Sequence, residues 1–191
     1  MQAWGTNNFP MGTATSLPDN RLIPRTIWTD SAALESLWNT TILHIEAGRH
    51  FGVYHQAPSN KQYANNAVSS AWRSAQMFFI TKSPNFSTNA ETATIREAGR
   101  VLVDEHLKPW RDIALASKGG GSYLNEAAVM EPRWNEDFYG EQYERLLSIK
   151  RGVDPGGVFY AATGIGNDGW EIRGPERGVT TQNGRLCRIE K

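Results

Sequence analysis

The chain has 191 residues, 20 basic and 20 acidic side chains, 39% hydrophobic and 21% charged residues, the profile of an ordinary soluble domain. At this length a chain buries roughly 70% of its unfolded surface and needs no disulfide or structural metal, and the single cysteine, Cys187, excludes an internal bridge and a Cys-based zinc site while leaving the redox compartment open. A formal charge of zero argues against nucleic acid as a partner and removes the simplest electrostatic case for membrane attachment.

Residues 1–27 read as an irregular lead-in rich in Gly, Asn, Thr and Pro. It contains neither a basic n-region nor an apolar h-region, so no signal peptide is visible; no apolar run approaches the roughly 20 residues of a membrane span. No compartment is assigned. Thr29 or Asp30 is a helix cap, followed by Leu34, Leu37, Trp38 and Thr41 at helical spacing. After Gly48 the alternation of Phe51, Val53 and His55 predicts a strand, closed by Pro58 and Ser59. Two further strands are expected, around Ala67 to Trp72 and Gln76 to Thr81, completing an antiparallel sheet.

Thr88-Asn89-Ala90-Glu91 reads as a capping box. The helix after it carries a core-facing stripe of Ile95, Ala98, Leu102, His106, Trp110 and Ile113, with Pro109 kinking or ending its last turn. After Ala116 the composition shifts, because 13 of the 18 glycines lie from Gly119 onward. One helix is expected there, around Glu136 to Lys150, stopped by Asp154-Pro155-Gly156-Gly157. Val158 to Ala161 is a short strand candidate. The fold class is therefore α+β: an antiparallel sheet over residues 49–81, covered by helices near 30–42 and 90–114, with a loop-and-helix C-terminal segment beside it.

Candidates for chemistry are few. His44, His50, His55 and His106 form no metal-ligand spacing, so no metal is expected. His106 fits a core histidine better than a base, while His50 and His55 fit either a pocket wall or a plain strand. Gly119-Gly120-Gly121 and Gly164-Ile165-Gly166-Asn167-Asp168-Gly169 are glycine-rich, but no helix-forming stretch follows the second, which reads as a loop. There is no nucleophile elbow and no phosphate loop. Seven tryptophans raise a carbohydrate platform, against which Trp38, Trp72 and Trp110 sit among core-like neighbours.

The most unusual run is Gly119-Gly120-Gly121-Ser122-Tyr123-Leu124-Asn125-Glu126-Ala127, then Glu131-Pro132-Arg133-Trp134, Phe138-Tyr139-Gly140, Tyr143-Glu144-Arg145-Leu146, Lys150 and Asp154-Pro155-Gly156-Gly157-Val158-Phe159. In order and content it resembles the C-terminal segment of berberine-bridge-enzyme-like flavoproteins, FAD-linked oxidoreductases of the vanillyl-alcohol-oxidase (VAO) type. Asn65 to Arg73 is similar to a substrate-domain segment of the family, and Gly169-Trp170 with Gly184 to Arg188 is similar to fungal members.

The resemblance implies a division into a partial substrate-binding domain at 1–116 and a C-terminal segment at 117–191. It implies FAD as cofactor and a small organic, secondary-metabolite-like substrate oxidised by hydride transfer to flavin. Tyr123 and Asn125 match the family's Tyr-x-Asn motif, which lies against flavin and substrate; Tyr123 is also a candidate catalytic residue. Glu126 stands where many members place a tyrosine base, so it is either a base or a solvated loop carboxylate. No histidyl flavin-attachment stretch and no Cys-x-x-Val/Leu-Gly partner is present, and Cys187 does not inherit that role. The expectation is a chain short of most contacts that hold FAD: either part of an oxidoreductase, or a non-catalytic remnant or subunit whose partner chain carries the FAD domain. A carbohydrate-binding module is the third reading.

Overall fold

The computed structural model describes residues 15–56, 66–173 and 185–189. Its first element lies inside the stretch expected to be irregular: Pro18–Pro24 is a strand, β1, and all but Pro18 is buried. Asp19-Asn20-Arg21 hides the strand from a reading of hydrophobic pattern, since three consecutive polar residues sit at 0% exposure. Proline is tolerated at both ends, where a strand needs no ladder N–H.

β1 pairs antiparallel with β3 (Ala75–Lys82), which also pairs antiparallel with β2 (Gly52–His55). β3 is thus the centre of a three-stranded sheet in the order β1-β3-β2. Residues at period two divide its faces. Ile23, Met77 and Phe79 face a helical layer; Leu22, Phe78 and Ile80 face the other way.

The helical layer starts with α1 (Ser31–Glu46), which Asp30 caps by accepting the N–H groups of Ala32 and Ala33 at 3.1 and 3.0 Å. Leu37, Thr41 and His44 are its buried residues. Trp38 is not a core residue: it is 65% exposed, because α1 turns only one side to the sheet. The second helical run begins with α3 (Thr92–Val101), continues through a π-helical stretch at Leu102–Leu107 and ends in α4 (Lys108–Ile113). The expected capping box does not form. Glu91 is the capping position, in extended backbone without a side-chain cap bond, and Thr88–Asn89 form a turn.

Pro109 neither ends nor breaks this run. The π-helical stretch absorbs the missing N–H, and the Glu105 carbonyl, which residue 109 would meet in a regular α-helix, accepts from Arg49 Nη1 at 3.1 Å. The stripe is as expected, with Ala98, Leu102, His106 and Trp110 buried. Trp110 is fully enclosed, with Phe79, Phe51 and His44 at ring distances of 5.3, 5.6 and 4.4 Å.

Three other expectations change. Ala71–Ser74 is a helical turn, α2, and not part of a strand; its alanine and tryptophan pack under the sheet. The helix expected over 136–150 is interrupted. A π-turn at Asn135–Tyr139 and a 3-10 turn at Gly140–Gln142 precede α5 (Tyr143–Val153). Val158 to Ala161 forms no strand, and Val158 and Phe159 are exposed. A small hairpin-like pair, β4 (Trp170–Arg173) with β5 (Arg185–Arg188), carries Cys187 as a free, half-buried thiol opposite Glu171. Pro58, Ser59, Asn65 and Gly184 lie outside the described residues. The α+β class stands: a small antiparallel sheet, helices on one face, and a loop-and-helix segment that runs along the β1 edge and touches the helical layer through Ala128, Met130 and Glu131.

Candidate functional site

The segment after α4 crosses behind β1 through three glycines. Gly119 adopts a left-handed φ of 87°. A methyl on Gly120 would overlap the Ala114 carbonyl, and one on Gly121 would press on Ala71 and the Asp137 carbonyl. This run therefore serves close chain packing and not the cradling of a phosphate. It delivers Gly121 O to Leu22 N–H at 2.7 Å.

The next residues are held by β1. Ser122 donates its hydroxyl to Asn20 O at 2.9 Å and its N–H to Asp137 O at 2.8 Å. Asn20, fully buried, then grips both backbone groups of Tyr123: its amide Nδ2 donates to Tyr123 O at 2.9 Å and its Oδ1 accepts Tyr123 N–H at 2.7 Å. The amide side chain supplies what a neighbouring strand would supply.

So clamped, the half-buried Tyr123 ring lies edge-on to Trp72 (5.3 Å) and Phe78 (6.2 Å), on the sheet face away from the helices. Tyr54, largely exposed, extends that aromatic face from Phe78 at 6.4 Å. Asn125, exposed on a 3-10 turn at Leu124–Glu126, donates Nδ2 to the Tyr123 hydroxyl at 2.8 Å. Tyr123 and Asn125 are thus brought together. Glu126 is on the same turn, exposed, with no ion pair to a described residue.

Beneath this turn lies a buried charge cluster invisible to motif reading. Arg21 Nη1 meets Asp137 at 2.9 Å with both side chains at 0% exposure, and Arg111 Nε meets Glu131 at 2.7 Å. Arg21 also donates Nε to Ala114 O at 2.9 Å and Nη1 to Ser122 Oγ at 3.3 Å. Asp19, in the same layer, accepts its neighbour's N–H; burial first, and Glu131 second, push its carboxyl up to about 8. Burial also raises Glu131 and lowers Arg21. The only sequence signal was the polar triplet between prolines at 18–24, together with the acids of the segment.

The histidines are structural or superficial. His44 Nε2 bridges His50 O and Thr81 Oγ1 at 3.0 and 3.1 Å, and burial lowers it to about 4. His106 is buried beside it, bonded through Nδ1 to Lys82 O and likewise lowered by burial. His50 and His55 are exposed. Among the described residues no group of three metal-type side chains is close enough to hold an ion, and no helix is long and apolar enough to cross a membrane.

Further along, Asp154 organises the Asp-Pro turn by accepting Val158 N–H and Phe159 N–H at 2.8 and 3.0 Å and pairing with Lys150. The Lys150 hydrogen bond holds its carboxyl below the usual range. The glycine loop at 164–169 is closed on itself: Asn167 donates Nδ2 to Ala161 O at 2.7 Å, and Tyr139 donates to Thr163 O at 2.9 Å. A cleft of about 470 Å³ there is lined by Lys150, Val158, Phe159, Tyr160 and Ile165 among others.

A family described as berberine and berberine like matches residues 122–166, the span from Ser122 through the glycine loop. The chain is 32% identical over 184 residues to the VAO-type flavoprotein oxidase VAO615 of Thermothelomyces thermophilus, covering 94% of this chain and 30% of that protein. It is 33% identical to the bifunctional decalin synthase calF of Penicillium decumbens, covering 93% and 29%, and 34% identical over 126 residues to the FAD-linked oxidoreductase patO of Aspergillus clavatus, covering 65% and 20%. In three dimensions it is similar to the crystal structure of the VAO-type flavoprotein MtVAO615 from Myceliophthora thermophila, with a TM-score of 0.73 and 27% identity over 91% of this chain and 30% of that one. The matched span covers 20 to 30% of the length of these relatives.

Proposed function

We propose that this chain, a member of the berberine-bridge-enzyme-like group of VAO-type flavoproteins, forms the substrate-side wall of an FAD-linked oxidoreductase acting on a small organic, secondary-metabolite-like molecule. In this reading residues 1–116 belong to the substrate-binding domain and 117–191 are the C-terminal segment. The observation that carries it is the clamped Tyr123 on the open aromatic face of the sheet, with the Asn125 amide bonded to its hydroxyl.

The residues fit one side of FAD. A planar ring system can lie against the half-buried Trp72 and Tyr123 and the exposed Tyr54, with the buried Phe78 beneath them, and the exposed amide of Asn125 offers a donor and an acceptor without charge. They do not provide for the pyrophosphate, because the Gly119–Gly121 run is filled by Ala114, Ala71 and Asp137. When bound, FAD supplies the hydride acceptor. Tyr123, accepting from Asn125, keeps its own hydroxyl proton to donate to a substrate or flavin oxygen. Glu126, in solvent on the same turn, takes the substrate hydroxyl proton. The pyrophosphate contacts come from outside the described residues.

Co-expression with a chain carrying an FAD-binding domain, followed by purification through this chain, tests the reading. Bound flavin is expected, with an absorbance altered by Asn125→Ala and a reduction by substrate slowed about 100-fold or more by Glu126→Gln. Flavin whose spectrum and reduction ignore Tyr123→Phe, Asn125→Ala and Glu126→Gln overturns it.

A second reading, a non-catalytic remnant or partner subunit, is favoured by one observation: Val153, Val158 and Phe159 are each more than 75% exposed beside the Asp-Pro turn, an apolar surface of the kind that marks association. Under it the purified pair retains flavin, and all three substitutions leave turnover unchanged.

A further inference from the structure

We propose that the chain contains a buried proton-binding site at Asp19, which latches the C-terminal segment onto β1 when occupied and loosens that seat when empty. Five ionisable side chains, each at most 6% exposed, meet where β1, α4 and the segment converge: Asp19 and Arg21 on the strand, Arg111 on the helix, Glu131 and Asp137 on the segment.

Two guanidiniums face three carboxyls. Arg21 is committed to Asp137 and Arg111 to Glu131, at 2.9 and 2.7 Å. Asp19 is the carboxyl left over. Its Oδ1 accepts the Asn20 N–H at 2.8 Å, the Ala128 backbone N–H is its other polar neighbour, and neither Arg21 nor Arg111 forms an ion pair with it. The charged groups facing it are Glu131 from the segment and Arg111 from α4, with Arg21 and Asp137 behind them. A fully ionised cluster would carry a net negative charge in a dry site, which is costly. One proton on Asp19 makes it neutral.

The location gives the proton its consequence. Arg21 also holds Ser122 Oγ, Ser122 N–H donates to Asp137 O, and Asn20, the next residue after Asp19, clamps Tyr123. Ionising Asp19 therefore places repulsion against Glu131 directly under the turn that presents Tyr123 and Asn125.

A carboxyl raised by folding stabilises the fold fully below its unfolded value near 3.8 and loses that contribution as pH rises through about 8. His44 and His106, lowered by folding, act only below about 6.5, so the window from about 6.5 to 8 belongs to the carboxyls of this cluster. Urea unfolding of the 191-residue chain there should show the folding constant falling by up to about tenfold per pH unit. In Asp19→Asn, which keeps the Oδ1 acceptor, the slope should flatten and the variant should melt above wild type at pH 8.5. An unchanged slope overturns the proposal. Two measurements on wild type need no variant. The infrared carbonyl band of a protonated carboxylic acid should be present at pH 6.5 and absent at pH 9.5; no band at pH 6.5 overturns the site. Hydrogen exchange, corrected for its intrinsic pH dependence, should rise above pH 8 first in residues 121–139; a uniform rise along the chain overturns the latch.

Discussion

Asn20 is the residue on which the candidate site hangs, and it sits 103 positions from the tyrosine it holds. Asn20→Ala would leave the Tyr123 N–H and carbonyl without partners in a half-buried place, at a cost of about 2–4 kcal/mol. Urea denaturation should show that loss, and Tyr123 fluorescence quenching by acrylamide should rise with it. The charge pairs beneath behave differently. Arg21→Met strands Asp137 as an unpaired buried carboxylate and should cost about 3–5 kcal/mol, whereas Arg21→Met combined with Asp137→Leu should recover most of that. A double-mutant cycle by chemical denaturation measures both. Tyr123 and Asn125 were legible in the sequence because their motif is three residues long. Asn20 was not, because its partner is distant and an Asp-Asn-Arg triplet reads as surface.

Elements were legible where one physical signal dominated. The α1 cap at Asp30, the central strand at 75–82 and the stripe from Ala98 to Trp110 follow from capping chemistry and periodicity. Elements with competing signals were not. β1 is a strand built around buried polar residues, and the run expected as one helix after 136 is broken at Gly140, whose φ of 55° and ψ of −137° are essentially open to glycine alone. Only the Ser70 and Ser69 hydroxyls, at 3.6 and 3.9 Å, approach a methyl placed at Gly140. The penalty of Gly140→Ala is thus conformational and not steric, about 1–3 kcal/mol. Thermal melts should show it, with helical circular dichroism below the transition unchanged. Restored stability without this break would mean that the turn is dispensable.

At the scale of the whole molecule, two buried layers titrate in opposite senses. His44, packed on Trp110 and lowered to about 4 by burial, contributes stability that is complete above its unfolded value near 6.5 and is lost as pH falls through about 4. Between pH 6.5 and 4 that loss opposes the gain from Asp19, so His44→Gln should gain stability relative to wild type as pH falls through this window while leaving the slope above pH 6.5 unchanged. Thermal unfolding from pH 4 to 9 separates the two. Apolar side chains on α1 and beside the Asp-Pro turn are exposed, among them Trp38, Leu43, Val158 and Phe159, in a chain about 30% as long as its relatives.

The resemblance to berberine-bridge-like flavoproteins, the α+β class, the helical stripe and the Tyr123-Leu124-Asn125 motif were readable from the chain alone, because each is encoded locally, in short motifs or in periodicity along one element. Only the tertiary structure decided that Pro18–Pro24 is a buried strand, that the glycine run is packing and not a cradle, and that Asp19, Arg21, Arg111, Glu131 and Asp137 share one dry site. The reason is physical. Burial converts ordinary charged residues into a balanced cluster only when segments more than 90 residues apart in the chain converge, and no local pattern records that convergence.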